Sequence, residues 1–203
     1  MKEFKHLPGL DLIRVFGILV VVFYHYQVET AVRGLCPADF LPAMEPLVQV
    51  AVYTMTLLSG SCLCWQEKSR SWSMKRYLWG RFLAIYPLFW LCFFPIFFYS
   101  DIICGNNEGV APWKLLLSIV GVDGYFQSFT PTFYKIGEWY LGCILFLYAV
   151  FPVLWRMIRR RGVVLAAVGA LFAWLACCFV ENPGQLYPTL IGQLPLFFMG
   201  IFL

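Results

Sequence analysis

Two ionisable side chains, Arg14 and His25, lie within one apolar stretch of the sequence, LDLIRVFGILVVVFYHY. Eleven helical steps separate them, which gives a rise of about 16 Å and a rotation within about 20° of three full turns. A helix would therefore present both side chains on one face. Since a guanidinium binds anions and an imidazole transfers protons near neutral pH, this face could line a tunnel with an anion site at one end and a proton-transfer group at the other.

A structural role is the alternative for each residue taken alone. Arg14 would extend to the lipid headgroups and pair with Asp11 one turn earlier, and His25 would be an interfacial histidine hydrogen-bonded to a neighbour. A polar group in hydrocarbon is costly unless it has a partner or a function. The common face of the two side chains favours the functional interpretation.

The composition indicates an integral membrane protein. Of the 203 residues, 61% are hydrophobic and 13% are charged, whereas about a quarter of the residues in soluble domains are charged. The net charge of +4 comes from basic residues in the gaps between apolar runs, so it indicates topology and gives no reason to expect nucleic-acid binding. Because no small-residue cleavage site follows the first run, we interpret it as a retained span and not as a signal peptide.

Six apolar runs are predicted to be membrane helices, because about 20 helical residues cross the hydrocarbon core and about 17 are the lower limit. They are Leu10–Tyr26, Leu47–Trp65, Phe82–Tyr99, Trp139–Trp155, Val163–Val180 and a run from about Leu190 to Leu203. We therefore predict an all-α, polytopic transmembrane helical bundle. The last run is still apolar at the final residue, so we expect the single domain 1–203 to be truncated at its C-terminus.

The lysines and arginines predict the orientation of the bundle, because these residues are enriched on the cytoplasmic side. Twelve of them fall in alternate gaps on one side, whereas three, Arg33, Lys114 and Lys135, fall on the other. The N-terminus, the loop 66–81 and the loop 156–161 (RMIRRR) are therefore predicted to be cytoplasmic.

The connection from Ser100 to Gly137 is then extracytoplasmic at both ends, and it contains the apolar stretch Trp113–Val122. Ten residues are too few to span a membrane, so we predict a short re-entrant or interfacial helix over the outer mouth of the bundle. Cys36 and Cys104 fall in polar connections, where a disulfide between them and two free thiols both remain open. The other six cysteines lie in apolar runs and are interpreted as packing residues.

The arginine, ten residues and histidine of the first run resemble the motif of the acyltransferase 3 family of membrane proteins. Three further segments resemble that family in order: LLSGSCLCW from Leu57, KRYLWGRFLAIYPLFW from Lys75 and EWYLGCILFLYAVFPVL from Glu138. The four segments cover essentially the whole chain. One departure is Ala84, which stands where the family usually has a second basic residue before Ile-Tyr-Pro, and the resemblance also implies about ten spans.

The resemblance implies an enzyme that transfers an acyl group, often acetyl, from acyl-CoA to a hydroxyl of a cell-surface sugar or polysaccharide. On this basis Arg14, Arg76 and Arg81 would bind CoA phosphates by charge-assisted hydrogen bonds, and His25 would be the general base. A transient acyl-histidine is the less favoured variant. We expect acyl-CoA as co-substrate, with no metal and no permanently bound cofactor, and we expect membrane lipid and a carbohydrate acceptor as partners in a bacterial cytoplasmic membrane.

The acceptor site has two sets of candidates, each with a structural alternative. Trp139 and Tyr140 would stack on a sugar while Glu138 orients the histidine or the hydroxyl; otherwise the aromatic pair belongs to an interfacial belt. Ser59 and Ser61 are candidates for contacting the substrate as an oxyanion stabiliser, although small residues in a membrane helix more often allow close helix packing.

Two other functional classes remain open at this stage. A small-molecule transporter or flippase could use the same polar face as a conduction path, but it would need paired half-helices or a repeat, and the sequence contains no internal repeat. A catalytically silent membrane fragment is the third interpretation. The oligomeric state is not indicated.

Overall fold

The structure is a computed structural model, and it describes residues 8–35, 37–68, 73–106, 109–126, 129–136, 138–179 and 190–202. Regular structure in these ranges is entirely helical, which confirms the all-α prediction. The α-helices are α1 Pro8–Val32, α2 Leu41–Lys68, α3 Met74–Phe97, α4 Leu115–Val120, α5 Trp139–Phe179 and α6 Leu190–Phe202.

Four helical segments of the described chain are long and apolar enough to cross a membrane, and they correspond to the first four predicted runs. They are Pro8–Val32, Leu41–Gln66, Met74–Ile103 and Trp139–Gly162. The third includes a π-helical turn, Phe98–Ile103, that continues α3. The fifth and sixth predicted runs are also helical, as the second part of α5 and as α6, although α6 has only 13 residues.

The chain divides into two compact units. The first unit contains the described residues within 1–70, 162–187 and 191–203, and the second contains those within 71–161 and 188–190. Along α5 the boundary coincides with Arg161, whose φ of −146° and ψ of 47° interrupt the helical backbone.

In the first unit, α1 and α2 pack as an antiparallel pair. Val20 of α1 is buried with Val48 and Ala51 of α2, and Gly17 faces α2 so closely that an added Cβ would lie 3.1 Å from the Met55 side chain. Two residues after the end of α1, Gly34 has a φ of 70°, a left-handed conformation that glycine adopts without steric cost.

The contact between α2 and α6 is closer still. A Cβ added at Gly60 would lie 2.2 Å from the carbonyl oxygen of Phe197, and one added at Gly200 would lie 2.0 Å from the carbonyl oxygen of Leu57. One turn away, the buried Thr56 hydroxyl donates to the Gln193 Oε1 atom over 2.7 Å. Small residues thus allow the two backbones to approach, as is common between membrane helices.

In the second unit, α5 runs antiparallel to α3. The Tyr77 hydroxyl near the start of α3 donates to the carbonyl oxygen of Tyr148 over 2.7 Å. Further along α3, a buried cluster of Phe89, Phe93 and Phe133 packs against Leu141 near the start of α5. The first turns of α5 therefore lie beside the middle of α3.

The short helix α4 is held by side chains from α3. The Trp90 indole N–H donates to the carbonyl oxygen of Ile119 over 2.9 Å, and the Tyr86 hydroxyl donates to that of Val120 over 3.0 Å. Trp90 lies about 20 Å along the axis from the end of the span at Ile103, so α4 returns toward the middle of α3. The predicted short helix is therefore present, and it packs on α3.

The helical part of this connection is shorter than the predicted stretch Trp113–Val122. A 3₁₀ turn, Pro112–Lys114, precedes α4, and Gly121 ends it in a left-handed conformation with a φ of 78°. Because a left-handed residue turns the chain out of the helical path, the helix ends at Val120, directly before Gly121.

Candidate functional site

Arg14 lies on α1 at the edge of the stripe that faces α2. Its guanidinium contacts the Asp11 carboxylate over 3.4 Å and the Cys62 sulfur of α2 over 2.8 Å. The ion pair with Asp11 is the contact that the structural alternative predicts. Since a guanidinium has five N–H donors in a fixed fork and the Arg14 side chain is 40% exposed, donors remain for an anionic ligand.

His25 lies on the same edge of α1 as Arg14, because α1 is helical without interruption from Pro8 to Val32. Its side chain is exposed, and the ring meets the Tyr24 ring edge-on with centroids 6.0 Å apart. Tyr24 in turn packs against the core between α1 and α2. The structure thus brings Arg14 and His25 to one edge of the helix with the histidine ring accessible.

Ser59 lies on α2 next to the close helix contact at Gly60. The hydroxyl of Ser59 donates to the carbonyl oxygen of Met55 over 2.8 Å, and the hydroxyl of Ser61 donates to that of Leu57 over 3.1 Å. Both side chains are half-buried. Close helix packing therefore explains Gly60. The Ser59 oxygen donates its own proton to Met55 but can still accept a hydrogen bond.

Arg76 and Arg81 lie one and two turns into α3. The Arg76 side chain is exposed, and that of Arg81 is half-buried. The guanidinium carbon of Arg81 lies 5.5 Å from the ring centroid of Tyr148 on α5, a cation–π arrangement. The tyrosine ring therefore holds the Arg81 guanidinium in place between α3 and α5.

Glu138 directly precedes α5 and is almost entirely buried, with 3% of its surface exposed. One carboxylate oxygen accepts a hydrogen bond from the backbone N–H of Lys135 over 3.3 Å. Trp139 and Tyr140 are both half-buried, with ring centroids 5.7 Å apart in an edge-on contact.

A second buried carboxyl, Asp123, lies in the turn after α4 and was not among the residues predicted from sequence. Asp123 and Ser118 are both fully buried, and the Ser118 hydroxyl lies near the Asp123 carboxyl. The turn packs directly on the first residue of α5, since a Cβ added at Gly124 would lie 2.6 Å from the Cα atom of Trp139. This close approach is what places Asp123 near Glu138.

Burial raises the pKa of both carboxyls. For Asp123 the loss of solvation is the main cause of the raised pKa, and the nearby Ser118 hydroxyl and Gly124 backbone N–H lower it by less. For Glu138 the loss of solvation raises the pKa first, and the charge of Asp123 raises it further. Two carboxyls in this arrangement favour a state in which a proton is retained.

A buried ion pair fixes the chain just before Glu138. The ammonium group of Lys135 lies 3.1 Å from the Asp101 carboxylate, which is 2% exposed, and 3.3 Å from the Ser100 hydroxyl. This pair ties the loop 129–136 to the π-helical end of the third span. Cys104, just beyond that end, is exposed with a free thiol, whereas Cys36 lies outside the described residues.

The sequence contains one indication of the turn in which Asp123 lies. The segment GVDGY, from Gly121 to Tyr125, has two glycines around an aspartate, a composition typical of tight turns. The turn itself was therefore predictable, but the burial of Asp123 depends on packing against α5, which no local pattern reveals.

Comparison with known protein families identifies an acyltransferase domain. A protein-family model, described as an acyltransferase domain, matches residues 7–203, a range that includes Arg14, His25 and every other candidate residue discussed above. No curated protein and no solved structure matches the chain.

Proposed function

The chain belongs to the acyltransferase 3 family, and from this premise we propose that it moves an acetyl or similar acyl group from acyl-CoA to a hydroxyl of a cell-surface carbohydrate. The match over residues 7–203 is the observation that carries the proposal. Four apolar helices of spanning length make it an integral membrane protein. Such a transferase joins a donor made in the cytosol to an acceptor met at the opposite side of the membrane.

In the proposed reaction His25 is the general base. The imidazole takes the proton from the acceptor hydroxyl while the hydroxyl oxygen attacks the thioester carbonyl carbon. The C–S bond then breaks, the departing thiolate takes the proton from the imidazolium, and the products are an ester and free CoA. The exposed ring of His25 supports this role, because a base must be reached by its substrate.

In this proposal Arg14 binds the donor. It lies about 16 Å from His25 along α1, a distance comparable to an extended pantetheine arm, so a phosphate held at Arg14 would leave the thioester within reach of the histidine. The contacts with Asp11 and Cys62 fix the guanidinium without using all its donors. Arg76 and Arg81 are proposed to bind further donor phosphates.

We propose that Trp139 and Tyr140 bind the carbohydrate acceptor, since aromatic rings offer flat apolar surfaces to sugars. The buried pair of Glu138 and Asp123 would hold a proton beside them, and Glu138 would orient the hydroxyl. Ser59 is proposed as a further substrate contact through its free lone pairs. The expected location is a bacterial cytoplasmic membrane with the N-terminus inside.

The experiment compares His25→Ala and Arg14→Ala with His6→Ala, the control for the only other histidine of the chain. Each variant is expressed from the complete gene, its amount in membranes is checked, and transfer of labelled acetyl from acetyl-CoA to surface glycan is measured. Loss of a positioned base is expected to lower the rate about 10²- to 10⁴-fold. Loss of the arginine is expected to raise the apparent Kd for acetyl-CoA about tenfold or more, because a hydrogen bond to a charged group is worth roughly 1.5–3 kcal/mol.

The two roles have separate refutations. Normal transfer by well-expressed His25→Ala would reject the catalytic role and leave an interfacial histidine. An Arg14→Ala variant that lowered only the amount of folded protein, with unchanged Kd for acetyl-CoA, would assign Arg14 to the helix contact with Cys62.

A further inference from the structure

A cavity of about 350 Å³ lies against the basic end of the Trp139–Gly162 segment. Among the residues that the structure describes, it is lined by Pro152, Trp155, Arg156, Arg159 and Arg160. These positions follow the spacing i, i+3, i+4, i+7 and i+8, so they form one stripe on α5. The cavity is thus a concave surface with three guanidinium groups on one helix face.

The three arginines are not neutralised by acidic partners within the described part of the chain. Arg156 has Arg159 three residues away and Arg160 four residues away, spacings at which like charges face and repel each other. Orientation by the basic side of the membrane requires only that positive charge be present. It does not require the charges to converge on a cavity.

The wall of the cavity is rigid and carries a neutral donor. Trp155 is 5% exposed and stacks on Phe151 with ring centroids 6.0 Å apart, and Phe151 stacks in turn on Tyr77 of α3 over 5.5 Å. The indole N–H of Trp155 is buried and has no acceptor among the described residues. An unpaired buried donor beside converging guanidiniums is a feature that an oxygen-rich anion would satisfy.

We propose that this cavity binds a phosphate group through Arg156, Arg159 and Arg160, with the Trp155 N–H as an additional donor. Planar guanidinium forks match phosphate oxygens in pairs, whereas halide ions would gain only from the charge. The phosphate belongs either to an anionic lipid headgroup or to a soluble ligand, since both present the same oxygens. Neither Arg14, Arg76 nor Arg81 is among the lining residues, and the proposal does not depend on the proposed acyl transfer.

The test uses the full chain in nanodiscs and measures the midpoint of thermal unfolding, because a ligand that binds only the folded state raises that midpoint. One arm compares phosphatidylcholine discs with and without phosphatidylglycerol. The other arm titrates inorganic pyrophosphate into phosphatidylcholine discs, with chloride at equal ionic strength as reference. A rise in the first arm alone assigns the site to lipid, and a rise in the second assigns it to a soluble phosphate.

Three variants separate a built site from diffuse charge. Arg159→Gln should raise the dissociation constant about tenfold in whichever arm shows binding. Arg161→Gln is the matched control: it removes an exposed charge of the same run that does not line the cavity, and it should change the constant by less than about twofold. Trp155→Phe keeps the stacked ring but removes the N–H donor, and it should weaken binding about threefold without any change in charge.

Two results would overturn the proposal. The first is an absence of stabilisation by both phosphatidylglycerol and pyrophosphate in wild-type protein. The second is an equal loss in Arg159→Gln and Arg161→Gln together with wild-type binding by Trp155→Phe, which would reduce the cluster to nonspecific electrostatics. Should Trp155→Phe prove unstable without ligand, Arg159→Lys takes its place, since it retains the charge and loses the planar fork; wild-type binding by Arg159→Lys then counts against the site.

Discussion

Replacing Gly60 by alanine tests the contact between α2 and α6 directly. The added Cβ would lie 2.2 Å from the Phe197 carbonyl oxygen, where ordinary contact begins at 3.4 Å. The obstacle is backbone and not a flexible side chain, so the two helices must move apart by about 1.2 Å. A shift of that size also stretches the 2.7 Å hydrogen bond between Thr56 and Gln193 beyond its normal range.

The expected loss of stability is about 3 kcal/mol. Overpacking of a tight contact costs about 1–3 kcal/mol, and leaving buried hydrogen-bonding groups unsatisfied costs about 1–3 kcal/mol more. The better helix propensity of alanine offsets about 1 kcal/mol of this sum. The free energy of unfolding is measured by denaturant titration in mixed micelles, followed by circular dichroism.

Gly80→Ala on α3 is the matched control, since nothing lies within 4 Å of the Cβ that it would add. It should raise stability by about 0.5–1 kcal/mol through helix propensity alone. The double variant Gly60→Ala, Thr56→Val should be little less stable than Gly60→Ala, because the first change already breaks the hydrogen bond that the second removes. If Gly60→Ala were as stable as Gly80→Ala, or if its effect and that of Thr56→Val were additive, the close contact would be rejected.

Two further predictions concern orientation and pH. An impermeant thiol reagent applied to intact cells should label Cys104, and single cysteines introduced into segment 156–161, which is helical and not the predicted loop, should react only after the membrane is opened. Protection of Cys104 in intact cells would contradict the predicted topology. Folding raises the pKa of Asp123 above its ordinary value of 3.8. This carboxyl therefore destabilises the folded protein increasingly as the pH rises from 3.8 to the pKa that the group has in the folded state. Asp123→Asn should therefore be more stable than wild type at pH 8 and lose that advantage at acid pH, by about 1.4 kcal/mol per unit of pKa difference; an unchanged pH dependence of unfolding would contradict the burial of this group.

Helix positions were predictable because apolar length is a local property of the sequence. The first four runs coincide with spans, yet the helices extend beyond them. The run ending at Tyr26 continues to Val32, and the run beginning at Leu47 starts at Leu41. Polar residues at the helix ends lower the hydropathy without breaking the backbone hydrogen bonds. Hydropathy therefore predicts only the apolar part of each helix, whereas the backbone geometry of the following turn determines its last residue.

The candidate site was predictable only where one helix contains both partners. The common edge of Arg14 and His25 follows from the helical repeat alone. Glu138 was predicted from its place beside the aromatic pair, but its burial comes from tertiary packing that the sequence does not reveal. Asp123 lies in a turn that can pack on Trp139 only because Gly124 has no side chain. This contact between distant parts of the sequence produces no periodic pattern from which it could be predicted.

The hydrogen bonds that Tyr86 and Trp90 donate to the end of α4 suggest the order in which α3 and α4 assemble. The carbonyl groups of Ile119 and Val120 would be unsatisfied in hydrocarbon at a cost of several kcal/mol each, so α4 has little reason to leave the aqueous phase by itself. Its partners are on the preceding span, which emerges from the ribosome first. We therefore expect α4 to pack only after α3 is in place, because the side chains that satisfy its last carbonyl groups lie on α3.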